Sequence, residues 1–145
     1  NQTISLITEN NIEISNELTE MDLGQWEGLT TSELLNKYQE NFIQALFINH
    51  KTKYGIDGES IHEAGKRVEN LINDLEKKKL LMASHGGTIK SAITKLIKPP
   101  DSKAAAAFTI PNNLGVSCLV PKDNKYILWS YNVGKIGYEN ISYNK

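Results

Sequence analysis

A chain of 145 residues, 39% of them hydrophobic, is long enough to bury a sizeable core and short enough to be one domain. Sixteen basic and seventeen acidic residues leave a formal charge of −1, so no strong overall field recommends nucleic acid or an anionic membrane as a partner. The single cysteine, Cys118, excludes an intramolecular disulfide and fits a reducing, cytoplasmic compartment, no run approaches a membrane span, and nothing resembles a signal peptide.

Thr3 to Leu6 reads as the end of a helix, and Asn10-Asn11 as a turn before the short run Ile12 to Ile14. A chain that opens inside an element, on Asn1 instead of Met, leads us to expect missing upstream sequence or a processed start. Residues 18–28 are loop-like. Thr30 with Glu33 forms a capping box that opens a helix whose apolar positions, Leu34, Leu35, Tyr38, Phe42, Ala45 and Leu46, recur at helical spacing. His50 to Gly58 is polar with two glycines and reads as an exposed loop. A second capping box, Ser60 with Glu63, opens an amphipathic helix through Ile61, Ala64, Val68, Leu71, Ile72 and Leu75, with Lys77 to Lys79 at its solvated end.

The apolar run Leu80 to Ala83 is expected as a strand, and Ile89, Ala92, Ile93, Leu96 and Ile97 as one face of a helix that Pro99-Pro100 stops. Ala104 to Ala107 suits a short helix. Val116 to Val120 and Tyr126 to Trp129 read as a hairpin or adjacent strands, with Cys118 as a small core residue. No linker or repeat divides the chain, and the alternation of strands with helices argues for a sheet covered on both faces.

Between the expected strand and helix stands Ser84-His85-Gly86-Gly87. The free N–H groups of a first helical turn and its dipole attract anions, and two glycines let a phosphate approach the backbone. A histidine there adds charge or a hydrogen bond to a phosphoryl oxygen. The same residues also suit a plain strand-to-helix turn. The composition speaks against a phosphate enzyme on one count: Arg67 is the only arginine, and guanidinium forks are the usual grip on phosphoryl groups.

Three stretches in order, LTEMDLGQWEG at 18–28, DGES at 57–60 with Arg67 seven residues on, and ASHGG at 83–87, resemble the histidine phosphatase, or phosphoglycerate mutase-like, superfamily. IPN at 110–112 is similar to that family's final-strand region, and Gln2-Thr3 to the tail of the helix after its second core arginine. The resemblance covers nearly the whole chain and implies a single α/β domain over 1–145, a three-layer sandwich with a mostly parallel sheet between helices. Its first strand is missing here. The family's nucleophile is a histidine in an Arg-His-Gly motif ending that strand, and this chain has neither that motif nor the family's core arginines. A strand with its crossover helix needs roughly 30 residues or more. The domain is therefore expected to be incomplete at its N-terminus.

The resemblance implies a phosphomonoester phosphatase working through phosphohistidine, without a metal or other cofactor, on a small phosphorylated metabolite. Phosphoglycerate mutase-type transfer and a non-catalytic phospho-ligand-binding module stand as alternatives. The short stretch between Leu46 and Gly58 favours phosphatase over mutase, since mutases of this family carry a longer insertion there. Residue by residue, His85 corresponds to the family's second histidine, Gly86 to a backbone donor for the phosphoryl group, and Glu20 to the acid/base residue. Glu17, Asp22 and Glu27 compete with Glu20 by charge alone, and the match of Leu-x-Glu before Gly-x-Trp-Glu-Gly favours Glu20. Glu27 is expected to brace its loop, Trp26 to pack, and Glu59 and Arg67 to meet across a helix start. Asn112 is placed near the site, and His50 and His62 are read as surface residues that form no metal cluster with Cys118.

Overall fold

The computed structural model describes residues 12–75, 79–123 and 125–134. The helix end expected at Thr3 to Leu6, and Lys77 and Lys78, lie outside the described residues. Two short 3₁₀ turns, Asn16–Leu18 and Gly24–Trp26, shape the first loop. Helix α1 spans Thr31–Ile43, α2 Ile61–Asp74, α3 Gly86–Ile97 and α4 Ser102–Ala106, and strands β1 and β2 span Val116–Lys122 and Lys125–Val133.

Both capping boxes form as expected. The Thr30 and Ser60 hydroxyls accept the Glu33 and Glu63 N–H groups, while each glutamate reaches back to the cap N–H. Helix α1 departs from regularity at Tyr38 (φ −130°, ψ 27°) and runs on into a π-helical turn, Gln44–Ile48. Of its expected apolar stripe, Leu34 and Ala45 are buried and Leu35 lies on the exposed side. Trp26 is 3% exposed and makes tilted ring contacts with Phe42 and Tyr54, with centroids at 5.4 and 4.8 Å, in a cluster that also holds Met21, Ile61 and Ala64.

Tyr54, Gly55 and Gly58 are buried under residues 22–26, so the segment 50–58 is in part a core element and not the exposed loop its polarity suggests. Gly55 (φ +53°) makes this approach possible: a Cβ there would stand 2.2 Å from the Leu23 carbonyl oxygen. Helices α2 and α3 meet as closely at Gly65, where a Cβ would fall 2.5 Å from the Ser91 carbonyl oxygen.

The sheet departs from expectation. Among the described residues it is a two-stranded antiparallel ribbon, β1 against β2, in the register Val120 to Ile127 and Leu119 to Leu128. Residues 80–83 form no strand, because a strand is defined by ladder hydrogen bonds and an apolar run has none without a neighbour. Cys118 is exposed on the hairpin's outer face, contrary to its reading as a core residue, since alternation turns Leu119 inward instead.

Candidate active site

Helix α3 begins two residues earlier than its apolar period indicates, at Gly86, with His85 as its N-cap. The His85 backbone is extended (φ −101°, ψ 162°), its side chain makes no capping hydrogen bond, and it is exposed. That leaves the first-turn N–H groups to other acceptors. Glu20 supplies one: its Oε1 accepts the Thr88 N–H at 3.1 Å and the Met21 N–H at 2.9 Å. Among the described residues Oε2 accepts no hydrogen bond. A carboxylate at this position is favoured by the helix dipole as well as by the donors.

The glycine pair makes room for this arrangement. A Cβ on Gly87 would stand 2.9 Å from Glu20 Oε1 and 3.3 Å from Met21 Sδ, and one on Gly86 would stand 2.5 Å from Ile110 Cγ2. Glu20 and the segment 110–111 therefore approach one helical turn, the turn capped by His85. Asn112, next in line, donates its N–H to Asn132 Oδ1 at 2.8 Å and so ties that segment to β2.

Arg67 anchors the Glu20 loop. Its Nε and Nη2 donate to the two oxygens of Glu59 at 2.9 and 3.1 Å, while Nη1 and Nη2 donate to the carbonyls of Glu17 and Thr19. Glu59 Oε2 in turn accepts the Asp22 N–H at 3.2 Å. The guanidinium is thus committed to protein acceptors on both sides, as the structural reading of the Glu59 and Arg67 pair expects. Glu27 Oε1 accepts the Leu23 N–H at 3.2 Å, the expected brace.

Thr88 joins the two systems, a role that sequence reasoning missed. Its hydroxyl donates to the Thr19 carbonyl at 2.7 Å, receives Arg67 Nη2 at 3.3 Å and lies 3.3 Å from Glu20 Oε1, in a side chain only 1% exposed. The available signal was a hydroxyl residue at the third position of a helix that opens on two glycines. Ser84 adds a further tie, donating to the Leu18 carbonyl at 2.8 Å.

His50 and His62 are partly buried, not surface residues, because both line a cavity at the far end of α3. Burial and then the Lys90 ammonium lower the His50 pKa. Burial, then Lys95 and Lys51, lower that of His62.

Among solved structures, a histidine-to-alanine variant of phosphoserine phosphatase from Entamoeba histolytica, in complex with phosphoserine, superposes with a TM-score of 0.72 at 25% identity, over 86% of this chain and 63% of that one. Mycobacterial glucosyl-3-phosphoglycerate phosphatase with inorganic phosphate gives 0.69 at 20% identity, over 83% and 64%. The alpha-ribazole phosphatase of Shigella flexneri gives 0.59 at 21% identity, over 86% and 62%. The chain thus spans somewhat under two thirds of the length of these structures and shares their fold. No curated protein matches it. The model of the histidine phosphatase superfamily, branch 1, matches residues 1–134, and by that match the chain belongs to this superfamily.

Proposed function

We propose that this chain carries the acid/base and charge-stabilising half of a phosphomonoester phosphatase that works through phosphohistidine. The nucleophilic histidine would come from an Arg-His-Gly segment outside these 145 residues. One observation carries the reading: Glu20 is held by the Thr88 N–H on the helical turn whose N-cap is His85, with an oxygen left over for proton transfer.

In this scheme the nucleophilic imidazole attacks phosphorus and the ester P–O bond breaks, while Glu20 gives its proton to the departing alkoxide. Water then attacks the phosphohistidine and the P–N bond breaks. Glu20 takes the proton back, leaving free phosphate and alcohol. His85 and the Gly86 N–H stabilise charge on the equatorial oxygens throughout. The expected substrate class is a small phosphorylated metabolite.

The test uses a protein in which these residues follow an Arg-His-Gly segment. It is expected to hydrolyse an aryl phosphate, to be insensitive to chelators, and to yield an acid-labile phosphoenzyme on rapid quenching. Activity lost to a chelator and restored by a divalent metal would overturn the mechanism. The 145 residues alone are expected to bind an oxyanion weakly at His85 without turnover. Robust turnover by this chain, abolished in His85→Ala, would instead make His85 the nucleophile.

A further inference from the structure

The Thr88 hydroxyl carries one hydrogen and stands within reach of two acceptors, the Thr19 carbonyl at 2.7 Å and Glu20 Oε1 at 3.3 Å. We propose that Thr88 is a positioning residue for the acid/base step: its hydroxyl turns to the Thr19 carbonyl when Glu20 is protonated and to Oε1 when Glu20 is ionised, and so keeps the exchangeable proton on Oε2. As an element of catalysis this role rests on the proposed function, whereas the turn of the hydroxyl is a property of the chain itself.

The donors around Glu20 fix where its proton sits. Oε1 accepts the Met21 N–H at 2.9 Å and the Thr88 N–H at 3.1 Å, which occupies both lone-pair directions of that oxygen. The neutral carboxyl therefore carries its hydrogen on Oε2. On ionisation the negative charge on Oε1 attracts a further donor, and charge-assisted hydrogen bonds are the stronger kind. Among the described residues the Thr88 hydroxyl is the side-chain donor within reach of it.

The turn leaves no group unpaired. Arg67 Nη2 donates to the Thr19 carbonyl at 2.9 Å, so that oxygen keeps a partner when the hydroxyl leaves it. The same nitrogen lies 3.3 Å from the Thr88 hydroxyl oxygen, which accepts from it in both positions. Thr88 is 1% exposed, and bulk water does not compete for its hydrogen. The charged and titratable groups facing it are Glu20 from the loop 17–20, Arg67 from α2 with its partner Glu59, and His85 at the N-cap of α3. Without the second donor to Thr19, turning would orphan a carbonyl at each change of protonation.

Carbon-13 NMR of the full chain tests the turn directly. The Thr19 carbonyl signal reads the position of the hydroxyl hydrogen, and the Glu20 side-chain carboxyl signal reads its ionisation. The two are expected to move together with one midpoint as pH passes through the carboxylate range. Thr88→Val replaces the hydroxyl by a methyl group and should at least halve the Thr19 displacement. Thr88→Ser should restore it, and Glu20→Gln should abolish it. A Thr19 signal that does not follow Glu20 in the unaltered chain, a result that needs no variant to fold, overturns the proposal. So does an equal displacement in Thr88→Val. In a protein that bears the Arg-His-Gly segment, kcat/KM reports transfer to the nucleophilic histidine. Thr88→Val is expected to lower it about tenfold on an alkyl phosphate and less than about threefold on a nitrophenyl phosphate, with Thr88→Ser near the parent. Equal losses on the two substrates would make Thr88 a purely structural residue and overturn the positioning role. Equal losses for Glu20→Gln, with the Thr19 signal still following Glu20, count against the proposed function and leave the turn of the hydroxyl standing.

Discussion

Glu20 is exposed, yet one of its oxygens is fixed by two backbone donors, which holds the carboxyl against the helix turn while leaving the other oxygen free to exchange a proton. Glu20→Gln keeps an acceptor for the Thr88 N–H and removes the proton carrier of the proposed mechanism. In the Arg-His-Gly-bearing protein we expect kcat to fall by about 10²- to 10⁴-fold on an alkyl phosphate. The loss should be much smaller on a nitrophenyl phosphate, whose leaving group needs no proton. Equal losses on both substrates would remove Glu20 from the acid role. Tyr54 offers a separate test of the core. Burial pushes its phenol up to about 12 from the usual 10, so the folded state holds this proton more tightly than the unfolded chain does. The corresponding stability is complete below pH 10 and is lost as pH rises from 10 to 12, by up to about 2 kcal/mol. Urea midpoints across that range should fall more steeply for the unaltered chain than for Tyr54→Phe. Parallel curves would place the phenol in water.

At the scale of elements, one guanidinium fastens the loop 17–20 to helix α2 and, through Thr88, to α3. Arg67→Met leaves Glu59 without its cation and the Glu17 carbonyl without its donor, at a cost of about 2–4 kcal/mol. Hydrogen exchange is the measurement: protection should drop at Asp22, whose N–H is held by Glu59, and at Thr88, whose N–H is held by Glu20. Unchanged protection at both would show that the loop does not depend on Arg67. Helices α2 and α3 depend on the missing side chain at Gly65. Gly65→Ala must push against the Ser91 carbonyl, and we expect about 1–3 kcal/mol of destabilisation by thermal or urea unfolding. Stability equal to the parent would mean that the two helices separate freely.

For the whole molecule, the described surface is asymmetric. The hairpin turns Leu119 and Leu128 inward and leaves Val116, Val120, Ile127 and Trp129 outward, with Trp129 77% exposed. Trp26, in contrast, is sealed in the core at 3%. The two tryptophans make this asymmetry measurable. Iodide should quench one component of the fluorescence and spare the other, and Trp129→Phe should remove the quenchable component. A chain whose emission resists iodide entirely would have its outer hairpin face covered in solution.

Local signals were fully legible in the amino-acid order. The capping boxes at Thr30 and Ser60 and the proline stop after α3 rest on interactions within a few residues, so pattern alone indicates them, whereas for β1 and β2 the pattern indicated two strands and left open whether they form a hairpin. The order of the LTEMDLGQWEG, DGES and ASHGG stretches likewise sufficed to indicate the family, and it singled out His85, Gly86 and Glu20. What the sequence could not state is which distant groups meet. Thr88 as the link between Glu20 and Arg67, the burial of Tyr54 in a polar segment and the gathering of His50 and His62 at the end of α3 all join residues far apart in the chain. Their partners are chosen by helix packing and by hydrogen-bond satisfaction in three dimensions, and only the tertiary structure decides them.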